Sequence, residues 1–206
     1  MSVRPGAWGF PDCLELGVPG NGVLTWEESK THLALYAISS SPLFIGNDVR
    51  PGRVQQRVLD LLLNPDMLRV NQAYERAFAG DRLWTAPTGK EVWGKPIGNN
   101  SAAAVVFNRN GTTSRCIAAS PIEAPCDDNA TDPSYSGVQN ITLDFGLLGS
   151  RGWLGGAGAA STAYSCEVFS VFATAAAGRS LGRFVGGLTV ELPPHGSEFV
   201  IVSGCQ

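Results

Sequence analysis

Residues 25–48, with the sequence TWEESKTHLALYAISSSPLFIGND, carry the pattern that decides the first part of the fold. Thr25 and Glu28 form a capping box, in which each side chain satisfies a free backbone amide at the start of a helix. Apolar residues then recur at helical spacing until the serines before Pro42 end the helix. The short apolar run 43–46 is flanked by helix breakers, which predicts a buried strand.

The same rhythm continues towards the C-terminus. The spacing predicts a helix from about Arg53 to Leu63 that Pro65 ends, and a further short strand over residues 67–70. Alternating strands and helices are typical of a parallel sheet with crossover helices. Asp48 follows the predicted strand 43–46 and is interpreted as the N-cap of the next helix.

From Asp81 onward the pattern changes to short strands. Apolar and β-branched stretches alternate with clusters of Gly, Pro, Asn and Ser, and strands are predicted over residues 103–107, 141–145, 168–172 and 199–202. Strands at this spacing predict an antiparallel sandwich. The Gly-, Ala- and Ser-rich residues 146–164 are predicted to form a surface loop. The predicted fold class is therefore α/β followed by all-β.

Composition limits the classes of partner. The chain has 206 residues and a net charge of −3, with 25 Gly and 13 Pro. A slightly acidic chain has no electrostatic footprint for nucleic acid or for an anionic membrane. No apolar run approaches the length of a membrane span. An uncharged small molecule or another protein is the expected partner, with neither nucleic acid nor membrane.

Cysteines and glycosylation sequons point to an oxidising compartment. The five cysteines are Cys13, Cys116, Cys126, Cys166 and Cys205, and the four sequons begin at Asn99, Asn110, Asn129 and Asn140. No CxxC spacing occurs, so no metal site is predicted. The last four cysteines allow three pairings, which the sequence leaves open. Clustered sequons and cysteines favour passage through the secretory pathway. The first residues lack the apolar stretch of a signal peptide, so we expect the natural start to lie further upstream.

Seven segments resemble one known family in the same order. The first is Arg4–Leu14 (RPGAWGFPDCL), which is similar to the R-P-G-x-W-N-D-P-D-M-L segment of the α-galactosidases (melibiases). The six that follow are THLALYA at 31–37, SPLFIGND at 41–48, VNQ at 70–72, EVW at 91–93 with Pro96, FNR at 107–109 and PPHGS at 193–197. Together they resemble the end of the family's catalytic barrel and its C-terminal β-domain.

This resemblance implies a fold and a division into domains. The family combines a (β/α)8 TIM barrel with an antiparallel β-sandwich. Residues 1–83 would be the C-terminal part of the barrel, and residues 84–206 the sandwich. Because a barrel of this kind needs about 250 residues, the barrel in this chain would be incomplete.

The resemblance also implies a reaction. The family hydrolyses terminal α-galactosyl residues of oligosaccharides or glycoconjugates by a retaining mechanism, without a cofactor, with one Asp as nucleophile and another as acid/base. Both aspartates come from strands upstream of the matched segments, so no catalytic residue is assigned here and the isolated chain is expected to be inactive. The choice between galactose and N-acetylgalactosamine also depends on an upstream residue. The intact protein is expected to be secreted or lysosomal/vacuolar, and a homodimer is possible for it.

Asp12, Cys13 and Trp8 are the predicted substrate-binding residues. In the family the Asp matched by Asp12, and the Met that Cys13 replaces, line the galactose pocket. Trp8 is a candidate for stacking on a sugar face, with packing in a turn as the alternative. Gly9 and Phe10 depart from the family's Asn-Asp, which indicates either altered selectivity or relaxed constraint.

The remaining candidates are interpreted as structural. His32 is expected to be a hydrogen-bonded packing residue. His195 is far in sequence from any candidate partner and is also expected to be structural. The pair Asp127 and Asp128 is expected to be a solvated loop rather than a calcium site, and Cys13 to be a free thiol. Two other functions stay open: a non-catalytic carbohydrate-binding or accessory protein built on the sandwich, or a degenerate remnant.

Overall fold

A computed structural model of the chain describes residues 9–18, 24–73, 79–110, 137–155 and 164–206. The first helix, α1, spans Trp26–Ile38 and begins with the predicted capping box. The Thr25 hydroxyl accepts from the Glu28 amide at 3.1 Å, and the Glu28 carboxylate accepts from the Thr25 amide at 2.9 Å. The helix ends before the serines that precede Pro42, so its predicted start and end are both confirmed.

Two short segments lie side by side in parallel, and α1 connects them. Leu14 pairs with Ile45, with the Leu14 amide donating to the Phe44 carbonyl at 2.6 Å and the Gly46 amide to the Leu14 carbonyl at 3.0 Å. We call these segments the parallel pair. Pairing between residues 43–46 and a parallel neighbour was expected, but the prediction of a buried strand is wrong, because Phe44 and Ile45 are exposed. Within the described residues the segment has a pairing partner on one side only.

The next two helices correct the prediction for residues 53–70. Helix α2 spans Gln56–Leu62 and helix α3 spans Pro65–Gln72. The predicted strand over 67–70 is wrong. Asn64 caps α3 by accepting from the amides of Asp66 and Met67, and Pro65 stands at the first helical position. Proline is well suited to that position, since its missing amide would have no partner there. Pro65 therefore starts a helix as well as following one.

The remainder of the described chain is almost entirely antiparallel sheet. Its elements are β1 (Asp81–Thr85), β2 (Lys90–Gly98), β3 (Ser101–Asn108), β4 (Gln139–Asp144), α4 (Phe145–Gly149), β5 (Ser165–Ser170), β6 (Arg179–Val185), β7 (Gly187–Leu192) and β8 (Ser197–Ser203). Within the described residues, β1-β2-β3-β8-β5-β6 form a six-stranded sheet and β4-β7 a two-stranded one. The predicted antiparallel strands of the second part are confirmed. Strand β1 spans the proposed domain boundary at residue 83, and the division into two domains stays a prediction.

The six-stranded sheet is covered on both faces. On β3, Ala102, Ala104 and Val106 pack against the two-stranded sheet and α4. The alternate residues Ala103 and Val105 pack against the helices α1, α2 and α3, which we call the helical layer. Because successive side chains of a strand point to opposite faces, a strand buried on both faces is apolar throughout. This arrangement explains the unbroken apolar run in β3.

The predicted surface loop over residues 146–164 is wrong in its first half. Asp144 caps the short helix α4 by accepting from the Gly146 amide. Phe145 and Leu148 are fully buried, and Trp153 is nearly so. The sequence did not reveal that this segment packs into the core, because its few large apolar side chains are separated by small residues. Residues 156–163 lie outside the described part of the chain.

Buried polar side chains fasten the helical layer to the sheet. Lys95 of β2 is fully buried, and its Nζ donates to Ser40 Oγ at 2.5 Å and to the Val70 carbonyl at 2.6 Å. Asn64 Nδ2 donates to the carbonyl of Val171 at 3.0 Å. Since each contact joins residues distant in sequence, these side chains fix the helical layer in one position on the sheet.

His195 supplies a further link at the other end of α1. Its Nδ1 lies 2.6 Å from Glu28 Oε1, and its carbonyl accepts from the Thr31 hydroxyl at 2.7 Å. The hydrogen bond with His195 lowers the pKa of Glu28. The structure thus places His195 in a structural contact between the β7–β8 connection and α1.

A disulfide joins strand β5 to the residues that follow β8. Cys166 of β5 is joined to Cys205, 39 residues along the chain. Of the three pairings left open, this one leaves Cys116 and Cys126, which lie outside the described residues. In the described part of the chain no helix is long and apolar enough to cross a membrane.

Candidate functional site

The parallel pair places Asp12 and Cys13 at the surface. Leu14 and Leu16 are fully buried under the helical layer, whereas Cys13 and Glu15 are exposed, as expected from strand alternation. Gly46 allows the close approach, because a Cβ there would lie 3.0 Å from the Leu14 carbonyl oxygen. Residues 12–16 are therefore anchored by the buried Leu14 and Leu16 and present their polar groups outward.

Asp12 adopts a strained backbone conformation. Its φ is 91°, in the region that favours glycine and that costs other residues about 1–3 kcal/mol. Its own Oδ1 accepts from the Cys13 amide at 2.8 Å. Strain of this size persists only where surrounding contacts hold the chain, so the contacts around Asp12 are central to the site.

Tyr36 of α1 supplies those contacts. Its hydroxyl lies 3.2 Å from the Pro11 carbonyl oxygen and 3.1 Å from the Asp12 carbonyl oxygen, so that it donates to this turn. Burial raises the pKa of Tyr36, and the nearby Asp12, Cys13 and Glu15 raise it further. The hydroxyl therefore keeps its proton and its donor role across the neutral range. Tyr36 is a positioning residue that spacing alone did not identify.

The Asp12 carboxylate is available for a ligand. The side chain is exposed, and Oδ2 has no partner among the described residues. An ionised carboxylate can accept hydrogen bonds from two hydroxyl groups, which is how polar pockets select sugars. The Asp12 carboxylate is thus a hydrogen-bond acceptor whose orientation is fixed by the adjacent Cys13 amide.

Cys13 is the free cysteine of the described residues, and it is exposed. The site for a Cβ on Gly46 lies 3.6 Å from Cys13 Cβ, so that the thiol projects beside the second segment of the parallel pair. The prediction of a free thiol is confirmed. A substrate-binding role for Cys13 stays a prediction.

An exposed aromatic pair flanks Asp12. The rings of Phe10 and Phe44 meet edge to face with centroids 5.1 Å apart, and their residues are 56% and 55% exposed. Apolar rings at a surface offer a face to the C–H groups of a ligand, and edge-to-face contact fixes their relative orientation. Phe10 stands where the resembled family has a polar residue, so the pair adds an apolar surface at a position that the family motif makes polar.

His32 lies behind the site rather than in it. Its ring stacks on Tyr36 with centroids 4.6 Å apart, and burial lowers its pKa, with Glu15 acting in the opposite direction. The expectation of a packing role is met, but its Nε2 is buried without a hydrogen-bond partner among the described residues. His32 is therefore neutral near pH 7 and supports Tyr36 through ring contact.

Asp48 does not act as the predicted helix cap. Its carboxylate binds the guanidinium of Arg50, with Nε distances of 2.8 and 3.0 Å, and this pairing lowers the pKa of Asp48. Helix α2 begins eight residues later, with Gln55 in the cap position. The intervening turn at residues 50–54 separates Asp48 from the helix, which the sequence pattern did not reveal.

Three of the predicted candidates cannot be placed in the structure. Trp8, Asp127 and Asp128 lie outside the described residues. Within the described residues no group of three His, Cys, Asp or Glu side chains could hold a metal ion. Burial lowers the pKa of Lys95 to about 8, but its amine is enclosed and reaches no surface. A binding role for Asp12 and Trp8 stays a prediction.

Comparison with known proteins supports the resemblance found in the sequence. Residues 1–73 match the family described as alpha galactosidase A. An α-galactosidase from rice is 36% identical over 105 residues, which cover 51% of this chain and 24% of the rice protein. A human α-N-acetylgalactosaminidase is 33% identical over 104 residues, covering 50% of this chain and 24% of the human protein. The matched region thus spans about a quarter of the length of these relatives.

Solved structures share the fold over nearly the whole chain. The α-galactosidase I of Mortierella vinacea superimposes with a TM-score of 0.70 at 21% identity, covering 97% of this chain and 40% of the fungal one. A β-L-arabinopyranosidase of Geobacillus stearothermophilus gives 0.69 at 21% identity, covering 98% and 38%. The similarity shows a shared architecture that occurs in enzymes with different sugar specificities.

Proposed function

Because this chain is related to the C-terminal portion of the α-galactosidase family of glycoside hydrolases, we propose that it is part of an enzyme that removes terminal α-galactosyl residues by a retaining mechanism. The described residues would form one wall of the sugar site and the β-domain that supports it. The proposed substrate is an uncharged α-galactoside of an oligosaccharide or glycoconjugate.

The geometry of Asp12 carries this proposal. The backbone of Asp12 is strained, its Oδ1 accepts from the Cys13 amide, and its Oδ2 has no hydrogen-bond partner among the described residues. Tyr36 holds the turn from behind, and Phe10 lies beside it. A carboxylate for hydroxyls next to an aromatic face is the combination that a pyranose ring requires.

We further propose that the 206 residues alone do not hydrolyse glycosides. A retaining mechanism needs two carboxyl groups about 5 Å apart across the scissile bond. The segments of this chain that match the family carry neither the nucleophile nor the acid/base. Binding and catalysis would then depend on different parts of the protein.

Location and partners follow from the same proposal. The disulfide between Cys166 and Cys205 favours an oxidising compartment. A secreted or lysosomal/vacuolar enzyme that uses no cofactor, binds neither nucleic acid nor membranes, and is able to form a homodimer fits the family. Trp8 would complete the sugar site together with Asp12 and Cys13.

A chimaera tests the proposal directly. The upstream part of the rice α-galactosidase, which is 36% identical over the matched region, would be joined to this chain so that it supplies the missing carboxyl groups. We expect the chimaera to hydrolyse p-nitrophenyl α-galactoside and the isolated chain to be inactive. Asp12→Asn should lower kcat/KM by about 10- to 100-fold, since a charge-assisted hydrogen bond contributes about 1.5–3 kcal/mol.

The matched control is Asp48→Asn, which removes an exposed carboxylate of the same region that is paired with Arg50. It should leave kcat/KM unchanged within twofold. Hydrolysis by the isolated chain that Asp12→Asn does not affect would contradict the proposal. An active chimaera whose kcat/KM is insensitive to Asp12→Asn would remove Asp12 from the sugar site.

A non-catalytic carbohydrate-binding role is the second candidate. Strand β2 carries Trp93, whose Nε1 donates to the buried Glu91 carboxylate at 2.8 Å and which lies beneath the guanidinium of Arg82. A partly exposed Trp framed by charged groups suits a glycan surface. Oligosaccharide binding by the isolated chain that survives Asp12→Asn and is lost with Trp93→Ala would favour this role.

A further inference from the structure

The hairpin between β2 and β3 presents a sequon at its tip. Gly98 pairs with Ser101, so that Asn99 and Asn100 form a two-residue loop. Their φ angles are 51° and 52°, the left-handed values of the turn that matches sheet twist. Asn99 is exposed, and Ser101 completes the N-x-S motif at the start of β3. The acceptor amide therefore stands clear of the sheet on a rigid turn.

A cleft opens directly beside this amide. Pro96, Ser101, Gly152 and Trp153 contribute to its walls together with Asn99, and its volume is about 130 Å³. Trp153 is nearly buried. A cleft that combines polar side chains with an aromatic residue is suited to a first sugar residue.

Asn140 occupies a second open position. It lies on the outward face of β4, where its neighbour Ile141 points into the core. The hydroxyl of Thr142 in the same sequon lies 2.8 Å from that of Thr189 on β7, on the same exposed face. A substituent on the Asn140 amide would extend into solvent.

Asn110 differs from both. Its Nδ2 donates to the Thr88 carbonyl, and its Oδ1 packs so closely on Gly89 that a Cβ at that position would clash with it. Its carbonyl accepts from the His195 amide at 3.1 Å. A glycan on Asn110 would have to displace the turn at residues 86–89 from this contact.

We propose that Asn99 and Asn140 carry N-linked glycans and that Asn110 does not. In the transfer, Asn Nδ2 attacks C1 of the first N-acetylglucosamine of a lipid-linked oligosaccharide. The new N–C1 bond replaces the bond from C1 to pyrophosphate, the lipid pyrophosphate leaves, and the amide gives up one proton. The inference rests on the secretory location in the proposed function, but not on hydrolase activity.

Site-resolved mass spectrometry tests the assignment. The full chain, fused to a secretion signal, would be produced in a eukaryotic host and treated with peptide N-glycosidase in isotopically heavy water, which marks each formerly glycosylated Asn. We expect the mark at Asn99 and Asn140 and an unmodified Asn110. A mark at Asn110, or an unmodified Asn99 or Asn140, would overturn the proposal.

Variants of the hydroxyl residue keep each Asn and its contacts intact. Ser101→Ala and Thr142→Ala should each remove one glycan, seen as a shift in electrophoretic mobility. Thr112→Ala, the matched control for the Asn110 sequon, should change nothing, and a mobility shift with this variant would contradict the assignment. Since the chain passes through the secretory pathway in every case, a wrong hydrolase proposal leaves these outcomes unchanged.

Discussion

The two regions of the molecule differ in how far each covers its own surfaces. The six-stranded sheet is packed on one face by the two-stranded sheet and α4, and on the other by the helical layer. The parallel pair pairs with nothing further among the described residues, and four exposed large apolar side chains lie in or near it. These are Phe10, Phe44, Ile45 and Val49.

The comparison shows that the antiparallel region and the parallel pair differ in how much further structure each needs to cover its apolar surface. The described strands of the antiparallel region bury one face of the six-stranded sheet against the two-stranded sheet and α4 and the other face against the helical layer, and a disulfide is added. The parallel pair is buried only on the side that faces the helical layer. An exposed strand edge with apolar neighbours is a surface that a further strand would cover. We expect the antiparallel region to be stable with the helical layer packed on it, and the parallel pair to depend on additional structure.

The largest effect should come from the junction of the two regions. Phe199 of β8 is fully buried between the sheet and the helical layer, and its ring meets Phe172 edge to face at 5.4 Å. Phe199→Ala should lower the free energy of unfolding by about 3–5 kcal/mol, because it leaves a cavity. Urea unfolding would measure this loss. A loss below about 1 kcal/mol would mean that the helical layer does not depend on this contact.

A somewhat smaller effect is expected within the antiparallel region. Replacing both Cys166 and Cys205 by Ala opens a link across 39 residues. The chain-entropy argument for a loop of that length predicts a loss of about 4 kcal/mol, and measured values often fall below it. Thermal unfolding of the parent chain and of the double variant, both without reductant, would measure this loss, and equal midpoints would show that the disulfide does not stabilise the fold.

Lys95 tests how the regions are joined. Burial lowers its pKa from the ordinary 10.5 to about 8 in the folded state, so the unfolded chain binds more protons between these values. The free energy of unfolding should therefore rise with pH from about 8 to 10.5, by at most about 3 kcal/mol. Lys95→Met removes this slope, and the half-exposed Lys90→Met retains it. Identical pH profiles for the parent and Lys95→Met would show that Lys95 titrates normally.

Tyr36→Phe probes the link between α1 and the strained turn. The variant keeps the ring and removes the donor to the carbonyls of Pro11 and Asp12. We expect a loss of about 0.5–1.5 kcal/mol in stability and faster reaction of the Cys13 thiol with an alkylating reagent. Tyr164→Phe, in the core of the sandwich, is the control and should leave thiol reactivity unchanged. Equal alkylation rates in the parent and Tyr36→Phe would show that Tyr36 does not hold the turn beside Cys13.

The smallest effect is expected on the open side of the parallel pair. Phe44→Ala removes an exposed ring whose described aromatic contact is with Phe10. The free energy of unfolding of the isolated chain should change by no more than about 0.5 kcal/mol. A loss above about 1.5 kcal/mol would show that this surface is already covered. In the chimaera the same variant should cost more, because further strands would then pack on Phe44.

A structural feature could be predicted from the sequence where all the residues that form it belong to one helix or one strand. The capping box at Thr25 and Glu28 links residues three apart, and it is present as predicted. The apolar run of β3 reports burial on both faces of a single strand. The misassigned strand at 67–70 has a different cause. Its apolar residues fit either period, and the helix was decided by Asn64 and Pro65, which precede it.

The candidate site was predictable in part. Asp12 and Cys13 were identified by resemblance, and the structure places both at the surface. The residues that hold them, Tyr36 and Gly46, were not recognised. The helical spacing identified Tyr36 only as one apolar position of a helix, because spacing does not show where its hydroxyl group points. Its match to an aromatic position of the family was the available signal.

The sequence by itself predicted many of the elements of this protein, its change from α/β to antiparallel structure, and its resemblance to a known family. Each rests on interactions between neighbours along the chain or on segments read in order. The tertiary structure alone decided how the parts meet. Lys95 reaches Ser40 across 55 residues, and Thr31 reaches Ser197 across 166. Such contacts depend on the packing of separate elements, which bring together residues that no local spacing relates.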